Sequence, residues 1–326
     1  MRRRMLNRFL AGAVAAWPLV ARAQQRQRII GFLSSGVRPP DAALASHPLV
    51  RGLAEHGYVV GRNLKVEWRF AAGQFDALPA LAGELLQAGA EVIVAGGGLA
   101  AIAAAQGAAG RPVVIFGAGD PVGMGLVPSL ARPGGHVTGV SEASTELSGK
   151  RLDLLAQLAP AIKRVAVLWN ADDPGMTLRY RAFSDTAAKL GLAIEPYALR
   201  SVGDIDTAIA AMATQPPDAL MVVSDALTNI NNRRIVDFAT ARRLPAMSEF
   251  ANFVSGGGLI AYGPSLADGF ARAAYYVARI LGGARPGDLP MEQPTRFYLT
   301  INLKTARALG IEIPPALLVG ADEVIE

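Results

Sequence analysis

The chain has 326 residues, 51% of them hydrophobic, with 32 basic and 27 acidic side chains and no cysteine. The absence of cysteine excludes disulfides, thiolate metal sites, a cysteine nucleophile and anchoring through a lipidated cysteine. Five of the arginines fall within the first 23 residues, which hold no acid, so the rest of the chain balances 27 basic against 27 acidic residues and offers no basic excess for nucleic acid.

Those first residues read as a leader. Arg2, Arg3, Arg4 and Arg8 form a cationic start, Phe9 to Val20 is mostly apolar, and Ala21-Arg22-Ala23 has the small-x-small form of a signal peptidase site. The apolar stretch is too short to span a bilayer. Arg2-Arg3 fits a twin-arginine signal and ordinary secretory charge equally well, so export by either route is expected. Residues 1–23 are therefore set apart as a signal peptide.

Beyond the leader, short apolar runs alternate with helical periods. Arg28 to Leu33 reads as a buried strand entering the polar loop Ser34-Ser35-Gly36. Leu49 to His56 reads as a helix stopped by Gly57, Leu64 to Phe70 as a strand, and Phe75 to Gln87 as a helix. Val92 to Ala95 is a strand before Gly96-Gly97-Gly98, and Arg111 to Phe116 another before Gly117. The same three strand-and-loop units recur about 130 residues later. Arg164 to Trp169 leads into Asn170-Ala171-Asp172-Asp173, Leu220 to Val223 into Ser224-Asp225, and Arg243 to Ser248 carries the third.

In the second half, helices are expected over Thr145 to Leu158, Thr177 to Leu190, Asp204 to Met212 and Asn231 to Ala241, with further strands near 193 and at Leu259 to Ala261. A long apolar helix, Leu266 to Leu281, has no counterpart in the repeat pattern. Phe297 to Ile301 is a strand and Lys304 to Leu309 a short helix. This order implies an α/β fold of two similar Rossmann-like lobes, each a parallel sheet flanked by helices, joined by a multi-strand hinge. The expected division is residues 24–139 and 264–282 for lobe I and 140–263 and 283–326 for lobe II. The hinge is expected at Gly139-Val140, Tyr262-Gly263 and Gly282-Gly283.

The enzyme motifs fail one by one. His47, His56 and His136 are scattered and form no metal-binding spacing, and Gly117 to Gly123 departs from the dinucleotide fingerprint with Pro121 where its helix should begin. Gly149-Lys150-Arg151 lacks the preceding glycine of a phosphate loop, and Gly31 to Gly36 lacks the spacing of a nucleophile elbow. No catalytic residue, metal or cofactor is expected. An exported hydrolase would need His47 or His136 beside Ser34 or Ser35.

The strand ends instead carry small polar groups suited to holding a ligand beyond the carboxyl edge of a parallel sheet. The candidates are Ser34, Ser35, Gly97, Gly98, Gly119, Asp120, Asn170 and Asp225, with Phe250 and Tyr262 as an aromatic wall. Glycine-rich turns before helices favour a carboxylate, and Asp225 suits an ammonium or hydroxyl. Each has a plainer reading: Gly96 to Gly98 as a tight turn, Asp120 and Asp225 as helix caps, Trp169 as core.

Several stretches resemble the ABC-transporter substrate-binding proteins of the tryptophan/tyrosine type, which have the type I periplasmic binding protein fold. They are Ile30 to Ser34, Gly52 to Tyr58, Gly119 to Gly123, Arg132 to Val140, Tyr262 to Ser265, Ile301 to Ala306 and Ala321 to Glu326. The resemblance covers nearly the whole chain after the leader. It implies a periplasmic receptor, monomeric, that captures a small organic solute between its lobes and passes it to an inner-membrane ABC permease; a sensor signalling to a membrane receptor is the alternative. It also implies that Asp225 meets the ammonium of an amino acid while serines and backbone amides of the first lobe hold the carboxylate. The neighbours of Asp225 differ from those in aromatic amino acid binders, so an amino acid, an aromatic acid and another small carboxylate all stay open as ligand.

Overall fold

The structure is a computed structural model describing residues 27–326, and the expected signal peptide lies outside the described residues. Strands β1 (Arg28–Ser34), β2 (Leu64–Phe70), β3 (Val92–Gly96), β4 (Val113–Ala118) and β5 (Val137–Ser141) form one parallel sheet in the order β2-β1-β3-β4-β5. A second sheet follows with β6 (Arg164–Asn170), β7 (Ala193–Leu199), β8 (Ala219–Val222), β9 (Ala246–Ser248), β10 (Ile260–Gly263), β11 (Tyr298–Asn302) and β12 (Glu323–Ile325). Its order is β12-β11-β10-β9-β8-β6-β7, and only the β10–β11 pair is antiparallel. Read from β7 to β10, the second sheet repeats the order of the first. The duplication in the sequence is thus a duplication of topology.

Residue patterns follow position in the sheets. The central strands β3 and β8 are apolar along their length and buried on both faces, as a parallel strand covered by helices must be. At the edge, β7 is partly exposed and tolerates Pro196, which removes one donor from the ladder. Each sheet separates two cores. Leu85, Ile93, Ala101 and Ile115 pack on one face of the first, and Phe32, Val94, Phe116 and Val277 on the other. Val167, Phe183, Met221 and Ile301 lie on one face of the second, with Leu168, Ile205, Val222 and Val236 opposite.

Helix Leu266–Leu281, which no sequence repeat announced, follows β10 yet packs its Ala273, Tyr276 and Val277 into the core of the first sheet. Helix Ser148–Leu158 does the reverse, following β5 and packing Leu152 and Leu155 into the second. The two are counterparts, each exchanged across the junction after the fifth strand of its sheet. No described helix is long and apolar enough to cross a membrane.

The third crossing lies further along than glycines 282 and 283. Leu289 and Met291 are buried in the cores of the first sheet, Thr138 Oγ1 donates to Leu289 O at 2.7 Å, and Ser141 N donates to Glu292 O at 2.8 Å. Residues 284–292 therefore run with the first lobe, and the chain returns to the second between Glu292 and Tyr298. The apolar side chains at 289 and 291, rather than the flexibility of the glycines, decide the position.

Candidate functional site

In both sheets the strand order reverses between the first and third strands of the unit, leaving a crevice at their carboxyl ends. The two crevices face each other and enclose a cavity of about 380 Å³. From the first lobe come Ser34, Ser35, Gly36 and Gly96 to Leu99, and from the second Asp173, Met176, Ser224, Asp225 and Asn229. Phe75, Phe116, Phe250, Leu266 and Phe270 supply apolar wall. The lobes touch around it. Phe75 packs against cores of both sheets, and a β-carbon at Gly73 would stand 3.2 Å from Ile230 of the second lobe.

The first-lobe side is a helix N-terminus. Helix Gly98–Gly107 begins directly after β3, with Gly97 as N-cap at φ 103, a conformation that suits glycine. No side chain caps it, so the amides of Gly98, Leu99 and Ala100 are without a hydrogen-bond partner in the structure. Beside them Ser35 is 5% exposed and its Oγ has no partner. Free amides, helix dipole and a buried hydroxyl together favour an anion here.

The second-lobe side is acidic. Asp173 caps helix Pro174–Leu190 by accepting from Gly175 N at 2.8 Å, and its carboxylate fills the space where a Gly98 β-carbon would be. Asp225 caps helix Ala226–Ile230, accepting from Thr228 N at 2.9 Å, and takes a second bond from Asn170 Nδ2 at 2.7 Å. Burial pushes the Asp173 carboxyl up to about 6, helped by the neighbouring Asp225, and burial also raises Asp225.

A third carboxylate, Glu142, stands on the chain just past β5 and lines the same cavity. It is part of a fully buried network. Arg179 Nη2 donates to Glu142 Oε2 at 3.0 Å and Arg179 Nη1 to Glu249 Oε2 at 2.5 Å, while Arg151 Nη1 donates to Glu249 Oε1 at 3.3 Å. Arg151 also donates to Ser144 O at 2.8 Å and to Tyr262 O at 2.7 Å, tying together the first two crossings. Burial raises the Glu142 carboxyl to about 7 against the opposing pull of Arg179. Burial lowers Arg151 to about 10; it also opposes the charge on Arg179, which Glu249 and Glu142 nevertheless hold above its ordinary value. Among the described residues no Lys, Arg or His lines the cavity.

Of the ten residues marked in the sequence, Ser34, Ser35, Gly97, Gly98, Asp225 and Phe250 line this cavity. Asn170 stands behind Asp225 and holds it. Gly119 gives room to Arg179, whose Nη2 would lie 2.5 Å from a β-carbon there. Asp120 accepts from Gly123 N at 2.8 Å within its own loop, and Tyr262 contributes its carbonyl to Arg151 while its ring packs on the core of the second sheet. Trp169 is core, stacked on Tyr180 at 3.9 Å. The histidines stay apart from the serines: His47 accepts from Leu49 N at 3.2 Å, and His136 bonds to Ala105 O. The described residues contain no His, Asp and Glu grouping able to hold a metal ion.

A model of the family described as ABC transporter substrate binding protein matches residues 37–325. The chain belongs to this family. Its members are substrate-binding proteins and not enzymes. A "Tyrosine-binding protein" of Clostridioides difficile (strain R20291) is 25% identical over 288 residues, spanning 88% of this chain and 82% of that protein. Among solved structures, the ABC domain from Streptococcus pneumonia in complex with L-Trp aligns at a TM-score of 0.84 with 27% identity, over 92% of this chain and all of that one. A conserved domain protein from Vibrio cholerae O1 biovar El Tor aligns at 0.85 with 25% identity, again over 92% of this chain and all of that one. The fold is that of type I periplasmic binding proteins; a periplasmic binding protein/LacI regulator from Alkaliphilus metalliredigens QYMF aligns at 0.59, with 12% identity over 84% of this chain and 96% of that one.

Proposed function

We propose that this substrate-binding protein is the exported receptor of an ABC importer and closes its lobes on an amino acid with an apolar side chain. One observation carries the reading: a single interlobe cavity sets free helix amides and a buried hydroxyl against carboxylates, with aromatic and aliphatic wall beyond them. That pairing of an anion-favouring and a cation-favouring surface suits a zwitterion. An acid without an amine would place its charge among three carboxylates with no cation lining the cavity. The tyrosine-binding relative and the L-Trp complex support the same class.

Ligand contacts from both lobes are complete only when the lobes meet, so a ligand shifts the population towards the closed form. The three crossings, after β5, after β10 and between Glu292 and Tyr298, are the proposed hinge. Membership of the family and the expected leader support a periplasmic location, and the closed monomer would dock on a membrane permease.

Thermal shifts of residues 24–326 against amino acids, aromatic acids, aliphatic acids and sugars test the reading. A ligand at 100 times its Kd adds about 2.7 kcal/mol, and stabilisation by apolar amino acids, with compaction in small-angle scattering, is expected. Stabilisation by sugars alone would sink it.

A further inference from the structure

We propose that Glu142, and not Asp225, receives the ligand's ammonium group and so makes the site select amino acids over the corresponding acids that lack an amine. The assignment rests on the amino acid reading above and deepens it. Three carboxylates line the cavity, and they differ in what their oxygens already hold. Asp225 is occupied on both: Oδ1 accepts from Thr228 N and Thr228 Oγ1 at 2.9 and 3.1 Å, and Oδ2 from Asn170. Asp173 caps its own helix with Oδ1; its Oδ2 also accepts no hydrogen bond but is pressed against Gly98, where a β-carbon would collide with it. Glu142 gives only Oε2 to Arg179, and Oε1 accepts no hydrogen bond.

That free oxygen also lies at the right end of the cavity. A β-carbon built on Gly117 would be 3.7 Å from Glu142 Oε1 and 2.8 Å from Gly97 N, so the oxygen and the start of the uncapped helix flank the same glycine. An α-amino acid carries ammonium and carboxylate on one carbon, which requires adjacent subsites for the two charges. Gly117, at φ 91, leaves the room between them.

Charge points the same way. Around the cavity Glu142, Glu249, Asp173 and Asp225 outnumber Arg151 and Arg179, so an ammonium placed among them meets a local negative excess while the ligand's carboxylate stays at the helix amides. Arg179 keeps Glu142 in place from behind, itself fixed by Glu249, and Ala143 in the left-handed region at φ 52 turns the chain beyond it.

Burial, Arg179, Glu249 and Arg151 set the titration of Glu142, and Asp173 and Asp225 are the other carboxylates lining the cavity. Burial holds Glu142 near 7. An ammonium beside Oε1 favours the ionised form and lowers the proton occupancy of Glu142 on binding near pH 7. A carboxylate without an amine favours the protonated form, so the sign of proton exchange separates the two cases.

The test is calorimetric titration at pH 7, in two buffers of different ionisation heat. The ligand pairs are L-phenylalanine with 3-phenylpropanoate and L-tryptophan with indole-3-propanoate. The wild type is expected to prefer each amino acid by roughly ten- to a hundredfold and to release protons only to it. Glu142→Gln should erase the preference while binding the amine-free acid as well as before, whereas Asp225→Asn should keep it. Proton uptake with a bound amino acid, or equal affinity for an amino acid and its amine-free partner, overturns the assignment in the wild type alone, whether or not the variants fold. So does a Glu142→Gln protein of native circular dichroism that keeps the preference. If neither member of either pair binds, the amino acid reading fails and the role of Glu142 falls with it.

Discussion

At the ends of β1 and β3 the first lobe brings Ser34, Ser35 and Gly96 to Gly98 to the cavity, without one ionisable side chain. The ends of β6 and β8, in the same places of an equally ordered sheet, lead into Asp173, Ser224 and Asp225. One lobe thus works through backbone amides and a hydroxyl and the other through carboxylates, with Glu142, braced by buried Arg179, at the crossing between them. Topology fixes where a ligand can sit, because the switch point is a property of strand order. The chemistry at that point is set by a few loop residues, and the two copies have taken opposite signs.

The largest loss is expected at Arg179. Arg179→Met leaves Glu142 and Glu249 buried without their shared partner, and removing one side of a buried ion pair costs about 3–5 kcal/mol. Urea unfolding of the ligand-free protein should show that loss, whereas a loss below about 1 kcal/mol would mean that the carboxylates find water or protonate without penalty.

A slightly smaller effect is expected from pH, and it too belongs to the acidic side. Glu142 stands at about 7 in the folded chain against an ordinary 4.5, and Asp173 at about 6 against 3.8. Between those values the folded state holds more protons than the unfolded one, so stability is highest at the acidic end and declines as pH rises towards 7. For Glu142 alone the span is on the order of 3 kcal/mol at 1.36 kcal/mol per unit. Denaturant midpoints between pH 5 and 7.5 should fall with pH in the wild type and fall less in Glu142→Gln. Midpoints that rise across this range would show that Arg179 outweighs burial.

The strand starts, the repeat of three strand-and-loop units and the crossing helix at 266–281 were legible because apolar runs end at glycine or polar turns. Helix Gly98–Gly107 was not, since its alanines are buried nearly all round and leave no amphipathic stripe to detect. The serines and Asp225 announced themselves by following strands. Glu142 did not, because its partner Arg179 is 37 positions away in sequence and nothing local marks the pairing. Asp173 carried a signal that the turn reading absorbed: an acid directly before Pro174 is the start pattern of a helix.

Gly98→Ala acts where the two chemistries touch. The new methyl would collide with the Asp173 carboxylate across the lobe junction, yet it improves the helix in which it sits. If the lobes open without ligand, the clash is felt only on closure. Affinity for L-phenylalanine should then fall about tenfold, in line with 1–3 kcal/mol for overpacking, while the melting temperature of the ligand-free protein stays level or rises. A matching drop in ligand-free stability would instead place the closed contact in the resting state.

The smallest effect is expected from Ser35→Ala, and its smallness is informative. The hydroxyl is buried and unpartnered, so removing it leaves no other group orphaned and should change ligand-free stability by less than about 0.5 kcal/mol. With a ligand carboxylate in place it would supply one hydrogen bond to a charged acceptor beside the amides of Gly98 and Leu99. Its loss should weaken binding by about 1 kcal/mol, roughly fivefold. The weakening should be equal for L-phenylalanine and 3-phenylpropanoate, because both carry the carboxylate that the first lobe holds. Unequal losses would mean that Ser35 senses the amine, and the division of charge between the lobes would not stand.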